Sequence, residues 1–400
     1  MKKLLAIFMA LIVFTGFALT VLLTPSTTLY FLNWGEYIDH SLIEKFQDLY
    51  HCQVIEETVV SSEAMYQKIT SDTTKYDVAV PGDYTVHQLY SQGRLKELDI
   101  DNPEYTNLQN YQTMFNDSLK EITDKYMVDE DNNPFDSYYM PYFFGAYSIL
   151  YNSNKEDVRD VVKDKGFLSL YDRSLYQEDV HIGMYSTARW IVASYLLSKG
   201  LDPNITSYDG RKDNDLSVEI QKDIIKALKD VRFDEFGDDS LKRNVANNRL
   251  DLCFTQLGDF FDALYLILEE GNGAQKDFHV EVPKTTACFF DSMVIPDTCQ
   301  NETLANRFID FMMDPDNAYQ NARAIGYSPT LKAVDTLFYT HAEEGELYYE
   351  DEKTSLSLTQ FLKDYPMYLN PLSGTEKVYL LEQKDNAYLT TCETIFNSLS

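Results

Sequence analysis

Carboxylates flanked by aromatic rings are the side chains of this sequence best equipped for chemistry. In Asn33-Trp34-Gly35-Glu36-Tyr37 one carboxylate lies between two rings, directly after the apolar run at residues 29–32. The charge of Glu36 and the faces of Trp34 and Tyr37 suit a cation, each face contributing roughly 0.5–2 kcal/mol when desolvated. The alternative reading is a tight turn whose rings only pack. Asp83 and Tyr84 repeat the pairing behind Tyr76-Asp77-Val78-Ala79-Val80, where Asp83 reads equally well as a helix N-cap. Phe289 and Asp291 form a third pairing within the run at residues 287–295.

Catalytic signatures do not accompany these pairings. The sequence has no H-E-x-x-H, no G-x-S-x-G and no P-loop, and its six histidines are scattered without ligand spacing. Asp259 and Asp262, three apart on a helix, share a face as an acid and base would. Among 64 acidic residues such pairs arise by chance. Gly271-Asn272-Gly273-Ala274 holds a lone G-x-G and reads as a loop. No catalytic residue, metal or cofactor is expected.

The elements that carry the pairings follow from apolar spacing. Residues 29–32 have no helical period and a helical pattern follows at 41–50, so a parallel strand feeds a helix. Residues 53–59 read as a strand, 63–70 as a helix and 76–80 as a strand followed by another helix. This order implies a parallel sheet covered on both faces. Ligands of such sheets bind beyond the carboxyl ends of the strands, where Trp34, Glu36, Tyr37, Asp83 and Tyr84 sit. Residues 101–136 are polar and acidic and read as surface loops with one or two short helices. A β-like stretch at 138–152 then crosses to a second α/β lobe, with strands at 180–185 and 250–255 and helices at 186–199, 216–231 and 260–270. Strands at 278–282 and 287–295 return toward the first lobe, and a helical C-terminal part begins at Glu302.

Composition narrows the partners. Lys2 and Lys3 precede an uncharged, largely apolar run at residues 4–23, long enough to span a bilayer and longer than the centre of a cleaved signal. A signal anchor with the rest of the chain outside is expected; cleavage near Ala18 is the alternative. The net charge of −30 excludes nucleic acid, which needs a basic surface. Thirty tyrosines and 23 phenylalanines can furnish both a core and an aromatic cleft. Five cysteines without C-x-x-C spacing read as free thiols rather than a metal site or a disulfide framework.

Taken together and in order, five motifs carry a family resemblance: Asn33-Trp34-Gly35-Glu36-Tyr37, Tyr76-Asp77-Val78-Ala79-Val80-Pro81, Met140-Pro141-Tyr142-Phe143-Phe144-Gly145, Phe289-Phe290-Asp291-Ser292 and Ile325-Gly326-Tyr327-Ser328-Pro329-Thr330. The chain resembles the spermidine/putrescine-binding proteins of bacterial polyamine ABC transporters, in the type II periplasmic-binding-protein superfamily. The resemblance implies an α/β fold of two lobes joined by hinge-crossing strands, the first lobe from residues 28–144 and 289–326, the second from 145–288 and 327–400. It also implies capture of a polyamine and its delivery to permease subunits served by a cytoplasmic ATPase. By the same likeness Trp34, Glu36 and Tyr37 form the first-lobe platform, Tyr84 is the aromatic at the third strand end, and Asp291 holds an amine. Phe289 stands where tryptophan is usual.

The second lobe departs from the family. Its Asp-x-Ala-Arg-Glu helix start reads Ser186-Thr187-Ala188-Arg189-Trp190 here, without either acid. Each lost charge-assisted hydrogen bond costs about 1.5–3 kcal/mol at a desolvated ammonium. Thr187 and the face of Trp190 are what this stretch offers instead. In Phe254-Thr255-Gln256-Leu257-Gly258-Asp259 the expected aromatic falls on Gln256 when Gly-Asp is aligned and on Phe254 when the strand is. These departures favour a shorter or differently charged amine, or another cationic solute of thiamine type. An anchored sensor on the same fold is a further alternative, and an extracellular hydrolase the weakest.

Overall fold

The computed structural model describes residues 27–71, 73–205, 218–271, 276–382, 384 and 386–399. Strands β1 (Thr28–Trp34), β2 (Gln53–Val59) and β3 (Val78–Ala79) form a parallel sheet in the order β2-β1-β3. Leu29, Phe31 and Leu32 are fully buried. Burial of the adjacent Phe31 and Leu32, whose side chains point to opposite faces, is why the run shows no polar alternation, although Tyr30 is exposed. The helix His40–Tyr50 starts where the Asp39 carboxylate accepts from the Ser41 N–H, and it buries Leu42, Ile43 and Phe46. Phe46 and Phe31 each meet Phe308 of the helix Glu302–Met312, with ring centroids 5.0 Å apart.

Strand β4 (Leu95–Lys96) is short, whereas β5 (Met140–Asn152) runs for 13 residues, all buried. Next in the chain come β6 (Ile182–Tyr185), β7 (Glu235–Gly237), β8 (Leu252–Gln256), β9 (Phe278–Glu281), β10 (Thr285–Met293), β11 (Ile295–Pro296) and β12 (Ser328–Pro329). The first half of β5 lies between β10, with Gly145 opposite Phe289, and β12, with Phe144 opposite Ser328. Its second half lies between β8, with Tyr147 opposite Gln256, and β9, with Ile149 opposite Glu281. One strand therefore changes all its partners between Ala146 and Tyr147. Isolated bridges from Ala79 to Val294 and from Gly82 to Asp291 join the end of β3 to the returning chain.

The C-terminal part is less purely helical than its sequence suggests. Besides β12 it contains β13 (Leu347–Glu350), β14 (Ser355–Ser357) and β15 (Lys377–Leu380), the last adding a parallel edge to β10. Segments of three or four residues carry too few positions to show a period. All five cysteines are free, and four of them are buried. The expected anchor, Met1 to Thr24, lies outside the described residues, as do residues 272–274 of the G-x-G loop. Among the described residues no helix is long and apolar enough to cross a membrane.

Candidate ligand-binding site

β1 ends at Trp34, and the chain turns through Glu36, whose φ of 54° is left-handed. Glu36 remains exposed while the turn swings Tyr37 inward. The Tyr37 hydroxyl donates to Asp291 Oδ2 at 2.7 Å. Its carbonyl accepts from Tyr142 Oη at 3.0 Å, and Tyr142 in turn accepts from Asn321 Nδ2 at 2.6 Å. Burial, then the charge of Asp291, hold the Tyr37 phenol well above its ordinary range, so it stays protonated and remains a donor.

Asp83 is not the helix cap. Gly82 takes that place and Asp83 is the first residue of the helix Asp83–Ser91. Its buried carboxylate accepts from the Tyr84 N–H at 2.5 Å and, across the bridge to β10, from the Phe290 N–H at 3.1 Å. A Cβ on Gly82 would stand 3.3 Å from Asp291 Oδ1, so the backbone between the two acids is closely approached. Desolvation pushes both carboxyls up to about 7. At Asp83 the Phe290 N–H opposes that rise and the charge of Asp291 adds to it; at Asp291 the Tyr37 hydroxyl opposes it.

Aromatic rings continue from this pair across the change of partners in β5. Tyr37 meets Tyr327 at 5.2 Å, Tyr327 meets Phe289 at 6.3 Å, and Phe289 meets Tyr147 at 5.7 Å. Tyr147 then meets Trp190 at 5.6 Å and Phe254 at 5.6 Å, and Tyr185 meets both Trp190 and Phe254 at 5.2 Å. Gln256 is engaged elsewhere: with Asp259 it forms the reciprocal cap of the helix Leu257–Glu270. Thr187 precedes the helix Ala188–Ser198, exposed, and caps it only through its carbonyl. Arg189 lies with its guanidinium 5.3 Å from the ring centroid of Tyr84 and donates to the Glu382 carbonyl. The Asp259 and Asp262 pair is held by Lys242, at 3.8 and 2.6 Å, and Asp259 also accepts from the Tyr185 hydroxyl.

The fold thus gathers Tyr37, Asp83, Tyr84, Trp190, Phe254, Phe289 and Asp291 around one path. Trp34, Glu36, Thr187 and Gln256 stand outside the ring series, and the half-buried Trp34 has an indole N–H with no acceptor among the described residues. Sequence reasoning missed Tyr147, Tyr185, Tyr327 and Arg189. Three of these lay in stretches already singled out, and Tyr185 closes a strand, the position where ligand groups concentrate. Among the described residues no three histidine, cysteine or acidic side chains gather as a metal site. The arrangement can neutralise and cover a small cation; it presents no activated nucleophile.

The sequence profile described as bacterial extracellular solute-binding protein matches residues 41–345. The chain belongs to that family. This solute-binding protein is 26% identical over 343 residues to the spermidine/putrescine-binding periplasmic protein of Escherichia coli (strain K12), a match covering 82% of this chain and 84% of the relative. A putative spermidine/putrescine ABC transporter from Listeria monocytogenes superposes with a TM-score of 0.65 at 25% identity, over 94% of this chain and 99% of that one. The TpPotD lipoprotein of Treponema pallidum, 19% identical, superposes with a TM-score of 0.66 over 93% of this chain and 99% of that one, a likeness of fold. The two-lobed α/β binding-protein fold is thereby established, and the family is one of binding proteins rather than enzymes.

Proposed function

We propose that this protein captures a polyamine outside the cytoplasm and delivers it to the permease subunits of an ABC transporter, without chemistry of its own. The observation that carries the reading is the pair Asp83 and Asp291, two desolvated carboxyls where β3 meets β10, opening onto an unbroken series of rings. Ammonium groups are met by charge at one end and by π-faces along the path. Tyr37, Asp83, Tyr84, Phe289 and Asp291 supply the first wall, and Trp190 and Phe254 the second; Trp34, Glu36 and Thr187 lie outside the ring series, and Gln256 is engaged as a helix cap. Residues 28–144 with 289–326 form one lobe and 145–288 with 327–400 the other. The boundaries near Gly145 and Phe289 are supported by the exchange of β5 partners there, whereas β12, at Ser328–Pro329, pairs with the first half of β5. Residues 4–23 tether the protein to the membrane.

Capture works by closure. Ligand favours the closed form only by binding it more tightly than the open one. A micromolar dissociation constant corresponds to about −8.2 kcal/mol, within reach of two charge-assisted contacts and several ring faces. Calorimetric titration with putrescine, spermidine, spermine and thiamine, at low and high salt, tests the reading. An acidic surface holds polycations loosely and loses them as salt rises. One-to-one amine binding that survives high salt and disappears in Asp291→Ala is expected. Failure of every amine, or binding of thiamine alone, overturns the polyamine assignment.

A further inference from the structure

The chain enters its first sheet almost directly from the segment read above as the tether. Thr24, Pro25, Ser26 and Thr27 alone separate the apolar run at residues 4–23 from Thr28, the first residue of β1. The link is pinned at its far end, where the Thr27 carbonyl accepts from the Gln53 N–H at 2.7 Å. Four extended residues reach at most about 14 Å. Roughly half of that is used in crossing the headgroup layer, about 5–7 Å deep on each side of a bilayer. The run has no length to lend: residues 4–23 wound as a helix cover about 30 Å, the full hydrocarbon thickness.

The site lies at the other end of the same strand. β1 has seven residues and rises about 3.3 Å at each, so the site begins roughly 20 Å from Thr28. Turning that end toward the lipid takes more length than the link has left. What the link does bring to the bilayer is the rim where the parallel strands β1, β2 and β3 begin. This rim exposes apolar side chains. Tyr30 and Ile55 stand opposite each other in the pairing of β1 with β2 and are 44% and 40% exposed. Leu49, 59% exposed, stands in the last turn of the helix His40–Tyr50, which ends beside the start of β2. The pairing of Phe31 with Val78 sets the exposed Lys75 level with Thr28. A tyrosine ring, aliphatic side chains and a lysine stem suit the boundary between lipid and water.

We propose that the rim at the start of β1, β2 and β3 rests on the bilayer and that the cleft opens away from it. This rests on the tether in the reading above and not on the identity of the ligand. A tethered molecule then loads from the outer medium, and a permease must rise beside it to receive the amine. Quenching by phosphatidylcholine that carries a spin label on its headgroup tests the orientation. The full chain is placed in neutral phosphatidylcholine vesicles, so that its net charge of −30 adds neither attraction nor repulsion. Bimane on Leu49→Cys, made together with Cys52→Ser, reports the rim, because the other four cysteines are buried. Trp34 reports the far end of β1 in Trp190→Phe, which leaves it the only tryptophan. The bimane emission is expected to be lost as labelled lipid is added, with the Trp34 emission unchanged. Loss of the Trp34 emission puts the cleft on the lipid and overturns the proposal. So does retention of both emissions in chains that float with the vesicles. Chains that do not float with the vesicles overturn the tether and this inference with it, and leave polyamine capture standing.

Discussion

A carboxyl pushed up to about 7 is half protonated in neutral solution, so at Asp83 and Asp291 an incoming cation competes with protons. The sign follows from the direction of the shift. Binding needs the ionised form, and below about pH 7 it must expel the proton, so affinity is flat above that range and falls as pH drops through it. Each expelled proton costs about tenfold per pH unit. Titrations from pH 5.5 to 8.5 in two buffers of different ionisation enthalpy measure the fall and count the protons. The same raised values make the ligand-free fold lose stability as pH climbs from the ordinary aspartate range to about 7, because the unfolded chain gives up these protons first. Tyr37→Phe removes the hydroxyl that pulls Asp291 down. Its expected effect is a loss of about 1.5–3 kcal/mol in binding at neutral pH, roughly ten- to a hundredfold, and a shift of the pH midpoint upward. An affinity that ignores pH in both proteins shows that neither carboxyl holds the ligand.

At the scale of elements the sensitive point is where β5 changes partners. Gly145 faces the Phe289 ring so closely that an added Cβ would lie 2.7 Å from Cζ and 3.0 Å from Cε1. Gly145→Ala therefore overpacks a buried strand pair, at a cost of about 1–3 kcal/mol. A lower urea midpoint with an unchanged slope is expected, and Phe289→Leu in the same chain recovers part of the loss. An unchanged midpoint means that the ring moves aside freely. This close approach also shows what the sequence could convey. Strand and helix order was legible because residues 29–32, 53–59 and 138–152 each carry enough apolar positions to show their state. The pairings of an acid with adjacent rings were legible because they are local. The bond from Tyr37 to Asp291 joins residues 254 apart, and no period in the chain encodes it. Nor could spacing choose between Phe254 and Gln256. The choice depends on Asp259 closing a reciprocal cap with Gln256, which leaves Phe254 to face the rings. Tyr327 was visible in its motif, but only the packed fold sets it against Tyr37 and Phe289.

For the whole molecule the question is what holds the two sides of the cleft together before ligand arrives. Tyr84 follows β3 and Arg189 follows β6, and the guanidinium lies 5.3 Å from the ring centroid, a contact between the two proposed walls. A cation over a ring at a half-exposed site contributes about 0.5–1 kcal/mol, enough to tilt a closed-to-open ratio by roughly two- to fivefold. Tyr84→Leu keeps the apolar bulk at that helix start and removes the π-face. Small-angle scattering of the ligand-free variant is expected to give a larger radius of gyration than the wild type, because more molecules are open. Saturating putrescine is expected to return the variant to the wild-type value, since Trp190 and Phe254 of the opposite wall remain to cover the ligand only on closure. Equal radii without ligand mean that the ring and the guanidinium only touch and that β5 and β10 alone set the resting angle. A variant that stays expanded with putrescine bound means instead that closure is driven through Tyr84 itself, and that the ligand's own contacts do not distinguish the open form from the closed one.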